Sequence, residues 1–411
     1  MLQKLLIIGF VWPEPKSSAA GSRMMQLINA FQSFGYDITF ASACAKTDNA
    51  FDLKTLNVQT ETIQLNHSSF DDFVKQLQPD VVLFDRFMTE EQFGWRVAEH
   101  CPTAMRILDT EDLHGLRKGR QQAFKDGKPF DDSYLYNDYA IREIASIYRC
   151  DLSLIISMEE LNILTSKFKI DQALLLYLPF MLEAVQPEVT KHFPKFEERQ
   201  HFITIGNFLH EPNYDAVCYL KESLWPHIRK QLPTAELHIY GAYVSQKAQQ
   251  LHQPSDGFLV KGFVDDVNEV MKNARVCLAP LRFGAGLKGK LIDAMQNGTP
   301  CVMTTIAAEG LSASNNPHMF VSDDPQTFIA NAVTLYQDKE VWYDAQDFGY
   351  STINKRFDKV TFQKALLTKV DMISQQLQNH RQNNFIGKLL HHHTLQSTKY
   401  MSKWIEAKNR G

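Results

Sequence analysis

The sequence has no long run of apolar residues and few cysteines. A membrane-spanning helix needs about 20 consecutive apolar residues, whereas the longest apolar stretches are Leu5 to Trp12 and Ala173 to Leu182, the second interrupted by Pro179. The six cysteines are far apart and form no Cys-x-x-Cys pair, which argues against a disulfide framework or a thiolate metal site. We therefore expect a cytoplasmic protein with buried thiols and no membrane-spanning helix.

The sequence also lacks a strong excess of either charge. Its 43 Lys and Arg residues against 47 Asp and Glu residues give a net charge of −4, which argues against a nucleic-acid binder with a strongly basic surface. Of its 411 residues, 44% are hydrophobic, a composition typical of folded globular proteins. This length predicts two or three domains, each with its own core.

Strand and helix patterns alternate along the chain in two blocks. The apolar run Lys4–Phe10, a helical pattern and a second strand at Tyr36–Ala41 predict a βαβ unit, which favours a parallel sheet covered by helices. The same alternation begins again after Pro179, with a strand at His201–Gly206. We predict an α/β protein of two tandem domains, joined near Leu178–Glu188.

The last part of the chain has a different composition. From Arg381 to Gly411 there are six Lys and Arg residues against one acid, Glu406, with apolar residues among them. Such a tail could lie on an anionic membrane surface or dock on a partner protein. The predicted boundaries are residues 1–180 for the first domain, 181–358 for the second, 359–380 for a helical segment that closes the second domain or crosses back to the first, and 381–411 for the basic tail.

The densest chemical signal is a glycine-rich segment, residues 282–290, with the sequence RFGAGLKGK. It follows a strand pattern and precedes a helical one, so its free backbone N–H groups would point at a bound anion. The segment favours a diphosphate site over a merely flexible loop, and Asp293, one helical turn further on, could accept hydrogen bonds from ribose hydroxyls. The residues that predict the anion site are Gly284, Gly286, Gly289, Lys288 and Lys290.

The same segment also matches the Gly-x-Gly-x-x-Gly dinucleotide fingerprint, and Glu309 lies about 20 residues further on, as a ribose-binding acid would. An NAD-dependent oxidoreductase is therefore an alternative. Against it, the first βαβ unit, where a dehydrogenase usually has this fingerprint, instead has Gly9-Phe-Val-Trp12.

Three neighbouring segments, residues 284–295, 298–305 and 308–311, resemble the donor-binding region of the GT-B glycosyltransferases of family 4, the glycosyl transferases group 1. In the second domain, Gly206 with Glu211–Ala216 resembles that family's first strand-loop-helix, Gly241 the end of its next strand, and Gly262–Asp266 its loop near the nucleotide base. In the first domain, Trp12–Pro15 with Ala19–Arg23 resembles the family's N-terminal opening. The resemblance covers roughly residues 4–375.

The resemblance implies a GT-B fold, in which two Rossmann-like α/β/α domains face each other across a cleft. It also implies a retaining transfer of a sugar from a nucleoside-diphosphate sugar to a glycan, lipid-linked or protein acceptor. It implies neither a metal nor a further cofactor, because positive protein groups stabilise the departing diphosphate. The other main glycosyltransferase architecture holds a metal with an Asp-x-Asp triplet, which this sequence lacks.

The resemblance also implies roles for individual residues. His114, at the end of a first-domain strand, is the best match to a catalytic histidine that contacts the transferring sugar, and Asp109 or Asp112 could hold its orientation. Lys288 and Lys290 would hold the departing diphosphate. The expected donor-binding residues are Gly21, Gly206, Asn207, Gly241, Val264, Arg282, Gly284, Ala285, Gly286, Leu287 and Asp293.

Two positions depart from the family pattern. The family often has two Glu residues separated by seven others; the second position is Asp293 here, but the first is Ala285, as in related subgroups. The family also often has a basic residue in the first loop of the second domain, where His210 or Arg282 could substitute. These departures leave a non-catalytic GT-B scaffold, acting as a partner subunit, as a second alternative.

Overall fold

Two parallel β-sheets organise the chain. The computed structural model describes residues 3–311 and 317–409, and Arg410 of the predicted basic tail lies outside them. The strands of the first sheet are β1 (Lys4–Gly9), β2 (Asp37–Ser42), β3 (Gln59–Thr62), β4 (Val81–Asp85), β5 (Met105–Asp109), β6 (Leu152–Ile155) and β7 (Leu175–Tyr177). Those of the second are β8 (Gln200–Ile205), β9 (Leu237–Tyr240), β10 (Phe258–Gly262), β11 (Ala274–Ala279), β12 (Cys301–Met303) and β13 (Phe320–Val321).

Helices alternate with the strands and continue after them. Those before β8 are α1 (Ala19–Ser33), α2 (Ser69–Leu77), α3 (Phe87–His100), α4 (His114–Lys125), α5 (Asp132–Leu135), α6 (Asp138–Arg149), α7 (Met158–Ser166) and α8 (Pro187–Thr190). Those after β8 are α9 (Glu211–Tyr219), α10 (Trp225–Gln231), α11 (Gln246–Gln249), α12 (Val267–Asn273), α13 (Gly289–Gln296), α14 (Thr305–Ala308), α15 (Pro325–Gln337), α16 (Lys339–Arg356), α17 (Lys359–Gln375), α18 (Leu377–Asn383) and α19 (Phe385–Asn409). A π-helical turn at Leu220–Leu224 joins α9 to α10, and short 3-10 turns lie at Leu53–Leu56, Gln172–Leu174, Phe196–Glu198 and Pro254–Asp256.

The strand order places a ligand-binding crevice at the same edge of each sheet. The order is β3-β2-β1-β4-β5-β6-β7 in the first sheet and β10-β9-β8-β11-β12-β13 in the second. In both sheets the chain first adds strands on one side of the sheet's first strand and then adds the later strands on its other side. Such switch points leave a crevice at the carboxyl ends of the strands, where open α/β sheets bind their ligands.

Alternating side chains divide the core of the first sheet into two layers. Leu5 and Ile7 pack on one side of the sheet and Leu6 and Ile8 on the other, all of them buried. A strand that is covered on both faces needs a continuous apolar run, as the sequence pattern of β1 predicts. With two parallel sheets of this kind, each covered by helices, the chain has the two-domain GT-B fold that the sequence resemblance implies.

The helices after the second sheet connect the two halves of the molecule. Trp342 on α16 is fully buried in the second half, where its indole N–H donates to the carbonyl of Arg275 at 2.7 Å. The next helix, α17, returns to the first sheet, and Leu366, Val370 and Ile373 lie in that sheet's core. In the described ranges, no helix combines the length and hydropathy that a bilayer crossing requires.

The segment that the sequence predicts as a basic tail is helical in its described part. The short helix α18 and the 25-residue helix α19 follow α17. Arg381 pairs with the buried carboxylate of Asp151, with its Nε 2.7 Å from Oδ1, and Lys399 pairs with Glu99 on α3 at 2.7 Å. Arg381 and Lys399 therefore tie these helices to the first domain.

A buried ion pair links three parts of the first domain. Arg23 on α1 and Asp109 at the end of β5 have side chains that are 1% and 0% exposed. The guanidinium donates to Asp109 through Nη2 at 2.8 Å and Nε at 3.0 Å, and through Nη1 to the carbonyl of Leu178 at 2.7 Å. Because a buried charge without a partner is strongly destabilising, each group depends on the other.

We predict that Asp109→Asn lowers the free energy of unfolding by about 3–5 kcal/mol, because it leaves the Arg23 guanidinium buried without a counter-charge. Urea denaturation followed by circular dichroism measures this loss. The matched control is Asp132→Asn, which breaks an exposed pair with Lys167 whose side chains are 45% and 53% exposed; it should cost less than about 1 kcal/mol. Equal losses in the two variants would contradict the prediction.

Candidate functional site

A cleft of about 1090 Å³ lies between the two domains. Most of its lining residues follow the carboxyl ends of strands, which is where the strand order predicts a binding crevice. The lining includes residues from the loops after β1, β5, β8, β9, β10 and β11, at positions 10–20, 111–114, 205–213, 241–243, 263–268 and 281–290.

Two helices begin at the same place in this cleft. The first, α1, begins at Ala19 and is capped by the Ser18 side chain, while α13 begins at Gly289 on the opposite wall. A Cβ added at Gly289 would lie 2.6 Å from the Cβ of Ala19, so the two N-termini are in direct contact. Each end presents unpaired N–H groups and the positive end of a helix dipole. Adjacent helix N-termini of this kind are typical of anion-binding sites.

Two buried lysines lie beside these helix ends. Lys288 is 7% exposed and Lys290 is 9% exposed, although both line the cleft. The Lys288 ammonium donates to the carbonyl of Gly286 at 2.7 Å, and that of Lys290 to Asn213 Oδ1 at 2.9 Å. Burial lowers the pKa of each lysine to about 8. A bound anion would raise both values again, because an opposite charge favours the protonated form.

Asp293 lines the cleft one helical turn after Lys290. Its carboxyl forms no hydrogen bond with any other described residue, and burial raises its pKa to about 7. The structure thus leaves the carboxyl available to ligand hydroxyls.

The glycine-rich loop reaches across the cleft to the first domain. Gly286 has a φ of +66°, and a Cβ there would lie 2.9 Å from the Cβ of Asp112. Its N–H donates to Glu160 Oε1 at 2.8 Å, and the same oxygen accepts the N–H of Leu113 at 2.9 Å. Glu160 is almost fully buried, and burial raises its pKa to about 8. The sequence around Glu160 indicates only the start of a helix, so sequence reasoning missed this link between the domains.

His114 lies in the cleft wall that faces this loop. Its Nδ1 is 3.1 Å from the carbonyl of Asp112 and 3.3 Å from Asp112 Oδ1. Burial alone would raise the pKa of Asp112, but Arg117 and His114 hold this pKa far below its usual range. The Arg117 Nε lies 2.6 Å from the Asp112 carboxylate. Of the two acids proposed to orient His114, the structure therefore selects Asp112, because Asp109 is bonded to Arg23.

Two of the expected donor-binding residues lie outside the lining of the cleft. The N–H of Gly21 donates to Ser18 Oγ at 3.0 Å, and a Cβ at Gly21 would approach the backbone of Glu14 to 2.4 Å. This glycine therefore allows close packing, and its amide does not face the cleft. Arg282 forms a bidentate pair with Asp215, at 2.9 and 2.6 Å, so this geometry does not support its use as the substitute cation.

His210, the other candidate for that cation, lies within the cleft. Enclosure by the cleft walls, together with the positive charges of Arg117 and Lys290, lowers its pKa to about 4. In the ligand-free cleft this shift disfavours the protonated, cationic form of His210.

The remaining expected residues all line the cleft. A Cβ at Gly241 would come within 2.0 Å of the carbonyl of Gly206, so this close approach of two loops requires glycine. The donor-side residues that the structure brings together are Gly206, Asn207, Gly241, Val264, Gly284, Ala285, Gly286, Leu287 and Asp293.

Two lining residues, Arg86 and Glu111, are not among the site residues predicted from the sequence. Both have positive φ angles, +70° directly after β4 and +62° two residues after β5. Burial, followed by the nearby Asp109 carboxylate, raises the pKa of Glu111 to about 8. Non-glycine residues in this backbone region are uncommon and cluster at functional sites, but the printed sequence alone gives no φ angles.

Glu309, the ribose acid of the oxidoreductase alternative, is engaged elsewhere. Arg120 of the first domain binds its carboxylate at 2.8 and 2.5 Å and also donates to the carbonyl of Gly284 at 2.8 Å. Glu309 does not belong to the cleft lining. Glu309 is therefore not placed as the ribose-binding acid that the oxidoreductase alternative requires.

Residues 199–338 match the family model described as glycosyl transferases group 1. This range contains the second sheet and the glycine-rich loop. The fold is that of the GT-B glycosyltransferases, and the matched part of the chain is similar to the glycosyl transferases group 1. The resemblance predicted from the sequence is confirmed.

Several solved structures are similar over nearly the whole chain. HepE of Anabaena in complex with UDP-glucose is 11% identical, with a TM-score of 0.67 over 90% of this chain and 99% of that chain. Sucrose-phosphate synthase of Thermosynechococcus elongatus is 14% identical, with a TM-score of 0.65 over 91% and 99%. TarM is 10% identical, with a TM-score of 0.68 over 90% and 99%. At these identities the likeness concerns the fold.

A curated relative is an uncharacterised 44.6 kDa protein in the cps region of Klebsiella pneumoniae. It is 20% identical over 195 residues, or 44% of this chain and 48% of the relative. The match thus spans about half the length of that relative.

We predict that Lys290→Met weakens binding of a nucleoside diphosphate about 10- to 100-fold, because it removes a buried charge at the anion site. Calorimetry with UDP, GDP and ADP measures this change. The control is Lys247→Met, which removes an exposed lysine on α11 and should leave affinity unchanged. Equal affinity of Lys290→Met and the wild type would remove Lys290 from the site.

The same variant should raise the free energy of unfolding of the ligand-free protein. The folded pKa of Lys290, about 8, lies below its ordinary value of 10.5, so the buried ammonium destabilises the folded state. This penalty is complete below pH 8 and disappears as the pH rises towards 10.5. Urea titrations at pH 7 and pH 10 should therefore show a gain that is larger at pH 7; a loss of stability at pH 7 would contradict the argument.

Proposed function

We propose that this protein transfers a sugar from a nucleoside-diphosphate sugar to an acceptor hydroxyl on a glycan, a lipid-linked glycan or a protein. The observation that carries the proposal is the contact between the N-termini of α1 and α13 beside Lys288 and Lys290. These groups concentrate positive charge at one point of the cleft between two domains. The family match at residues 199–338 and the UDP-glucose complex of HepE support a nucleotide sugar as the donor.

The proposed chemistry depends on stabilising the leaving group. When the bond between the sugar and the diphosphate breaks, negative charge grows on the phosphate oxygen that departs. Lys288, Lys290 and the N–H groups of the two helix ends are already in place to stabilise it, so little reorganisation is needed during the step. Because protein groups supply this charge, we propose a metal-independent reaction.

The other lining residues complete the arrangement. In the proposal Asp293 accepts hydrogen bonds from the ribose hydroxyls of the donor, and His114, held by Asp112, donates one to a hydroxyl of the transferring sugar. Gly206, Gly241 and Val264 form the wall nearest the nucleoside. A retaining outcome follows the family resemblance.

A binding panel separates this proposal from its alternatives. Thermal unfolding is followed with UDP, GDP, ADP, CMP and NAD(H), because a ligand that binds the folded state raises Tm. Selective stabilisation by one nucleoside diphosphate, lost in Lys288→Ala/Lys290→Ala, supports the transferase and identifies the base of the donor. Stabilisation by NAD(H) alone would favour the oxidoreductase. No stabilisation by any nucleotide would favour the non-catalytic scaffold, which Ala285 and the missing cation of the first loop also suggest.

We further predict that His114→Ala lowers the turnover of the preferred nucleotide sugar about 100-fold or more, because the sugar loses a positioned hydrogen-bond partner. Release of the nucleoside diphosphate from that sugar donor measures turnover. Affinity for the free nucleoside diphosphate should stay unchanged, since His114 faces the sugar and not the diphosphate. An equal fall in both quantities would show that the substitution disturbs the cleft as a whole.

A further inference from the structure

Helix α19 presents a polar side to the protein. Asn384, just before the helix, donates to the carbonyl of Tyr148 at 2.7 Å, and Ser402 Oγ lies 3.1 Å from Asn66 Oδ1. His391 Nε2 lies 2.9 Å from the carbonyl of Arg149. Helices on the surface of a globular protein normally bury their apolar stripe and expose their polar side. This helix is oriented the other way.

The exposed large apolar side chains of α19 share its outward side, and the exposed Ser397 lies among them. At 100° per residue, its exposed large side chains occupy one arc about 160° wide. These residues, which we term the α19 apolar face, are Phe385 (72% exposed), Ile386 (47%), Leu389 (49%), Tyr400 (65%), Met401 (58%) and Trp404 (59%).

The charged residues at the borders of this face are basic. Lys403 lies at one border and Lys388 beyond it, Lys408 lies just inside the other border, and all three are exposed. The Lys408 ammonium lies over the Trp404 ring, 5.3 Å from its centroid. The one acid in the α19 sequence, Glu406, accepts a hydrogen bond from Ser68 Oγ at 2.9 Å on the inward side. No acidic residue of the helix therefore interrupts the outward face.

We propose that the α19 apolar face docks on the surface of an anionic membrane. An apolar helix face flanked by lysines fits the boundary between acyl chains and headgroups, where the apolar side chains leave water and the ammonium groups reach the lipid phosphates. A second copy of this face fits less well, because its bordering lysines would meet lysines of like charge. The proposal concerns binding alone and does not rest on the proposed glycosyl transfer.

Trp404 provides a direct probe of this docking. The other four tryptophans, Trp12, Trp95, Trp225 and Trp342, are at most 3% exposed, so a change in emission on vesicle addition reports on Trp404. Vesicles of phosphatidylcholine with phosphatidylglycerol should shift its emission to the blue, and brominated lipids should quench it. Pure phosphatidylcholine vesicles should have little effect, and high salt should weaken the response. An emission spectrum that anionic vesicles leave unchanged would overturn the proposal.

Substitutions then separate the apolar contribution from the charged one. Leu389→Ser/Tyr400→Ser should abolish co-sedimentation with anionic vesicles, and Lys388→Gln/Lys403→Gln/Lys408→Gln should weaken it about 10-fold or more. Because all these side chains point outward, Tm should stay unchanged. The control is Val360→Ser on α17, an equally apolar residue that is 71% exposed and should retain full vesicle binding.

Light scattering tests whether a second copy of the protein, rather than a membrane, covers the α19 apolar face. The membrane proposal would be overturned if the wild type formed a dimer in solution and did not sediment with vesicles, and if Leu389→Ser/Tyr400→Ser converted that dimer to a monomer. These results would assign this face to a second copy. Co-sedimentation that is equal for the wild type and this variant would also overturn it.

Discussion

The buried ion pair between Arg23 and Asp109 is the constraint on which the cleft depends. Arg23 lies one helical turn into α1 and therefore sets the position of that helix's N-terminus. Asp109 ends β5, directly before the loop that leads to His114, and the Leu178 carbonyl bound by the same guanidinium ends the first sheet. One guanidinium thus holds together a helix end, a cleft loop and the exit towards the second domain. Burial makes this arrangement rigid, because neither charge can leave its partner.

A second buried group joins the two halves. One oxygen of Glu160 accepts N–H groups from Leu113 in the first domain and Gly286 in the second. The glycine-rich loop and the His114 loop are therefore held at a defined separation. The contact also occupies the N–H of Gly286, which the sequence suggests as a diphosphate ligand. The helix ends at Ala19 and Gly289, with the two lysines, provide the positive charge that faces the open cleft.

The sequence predicted the donor side of the cleft better than its first-domain side. The glycines and lysines of residues 282–290 lie within nine residues, so local sequence was enough to predict where their loop joins a strand to a helix. Arg282 was misplaced because its direction depends on Asp215, a partner distant in sequence. Gly21 was misplaced because the Ser18 cap takes its amide and Glu14 packs against it. Glu160 was missed because its partners come from two domains.

The alternation of strands and helices in two blocks and the position of the glycine-rich loop were determined by sequence alone, because apolar periodicity and glycine spacing act over a few neighbouring residues. Tertiary structure decided the rest. Only packing brought the N-termini of α1 and α13 into contact, buried Lys288 and Lys290 enough to lower their pKa values, and turned the apolar side of α19 outward. In each case the physical reason is that burial and charge pairing depend on what the rest of the fold places beside a residue.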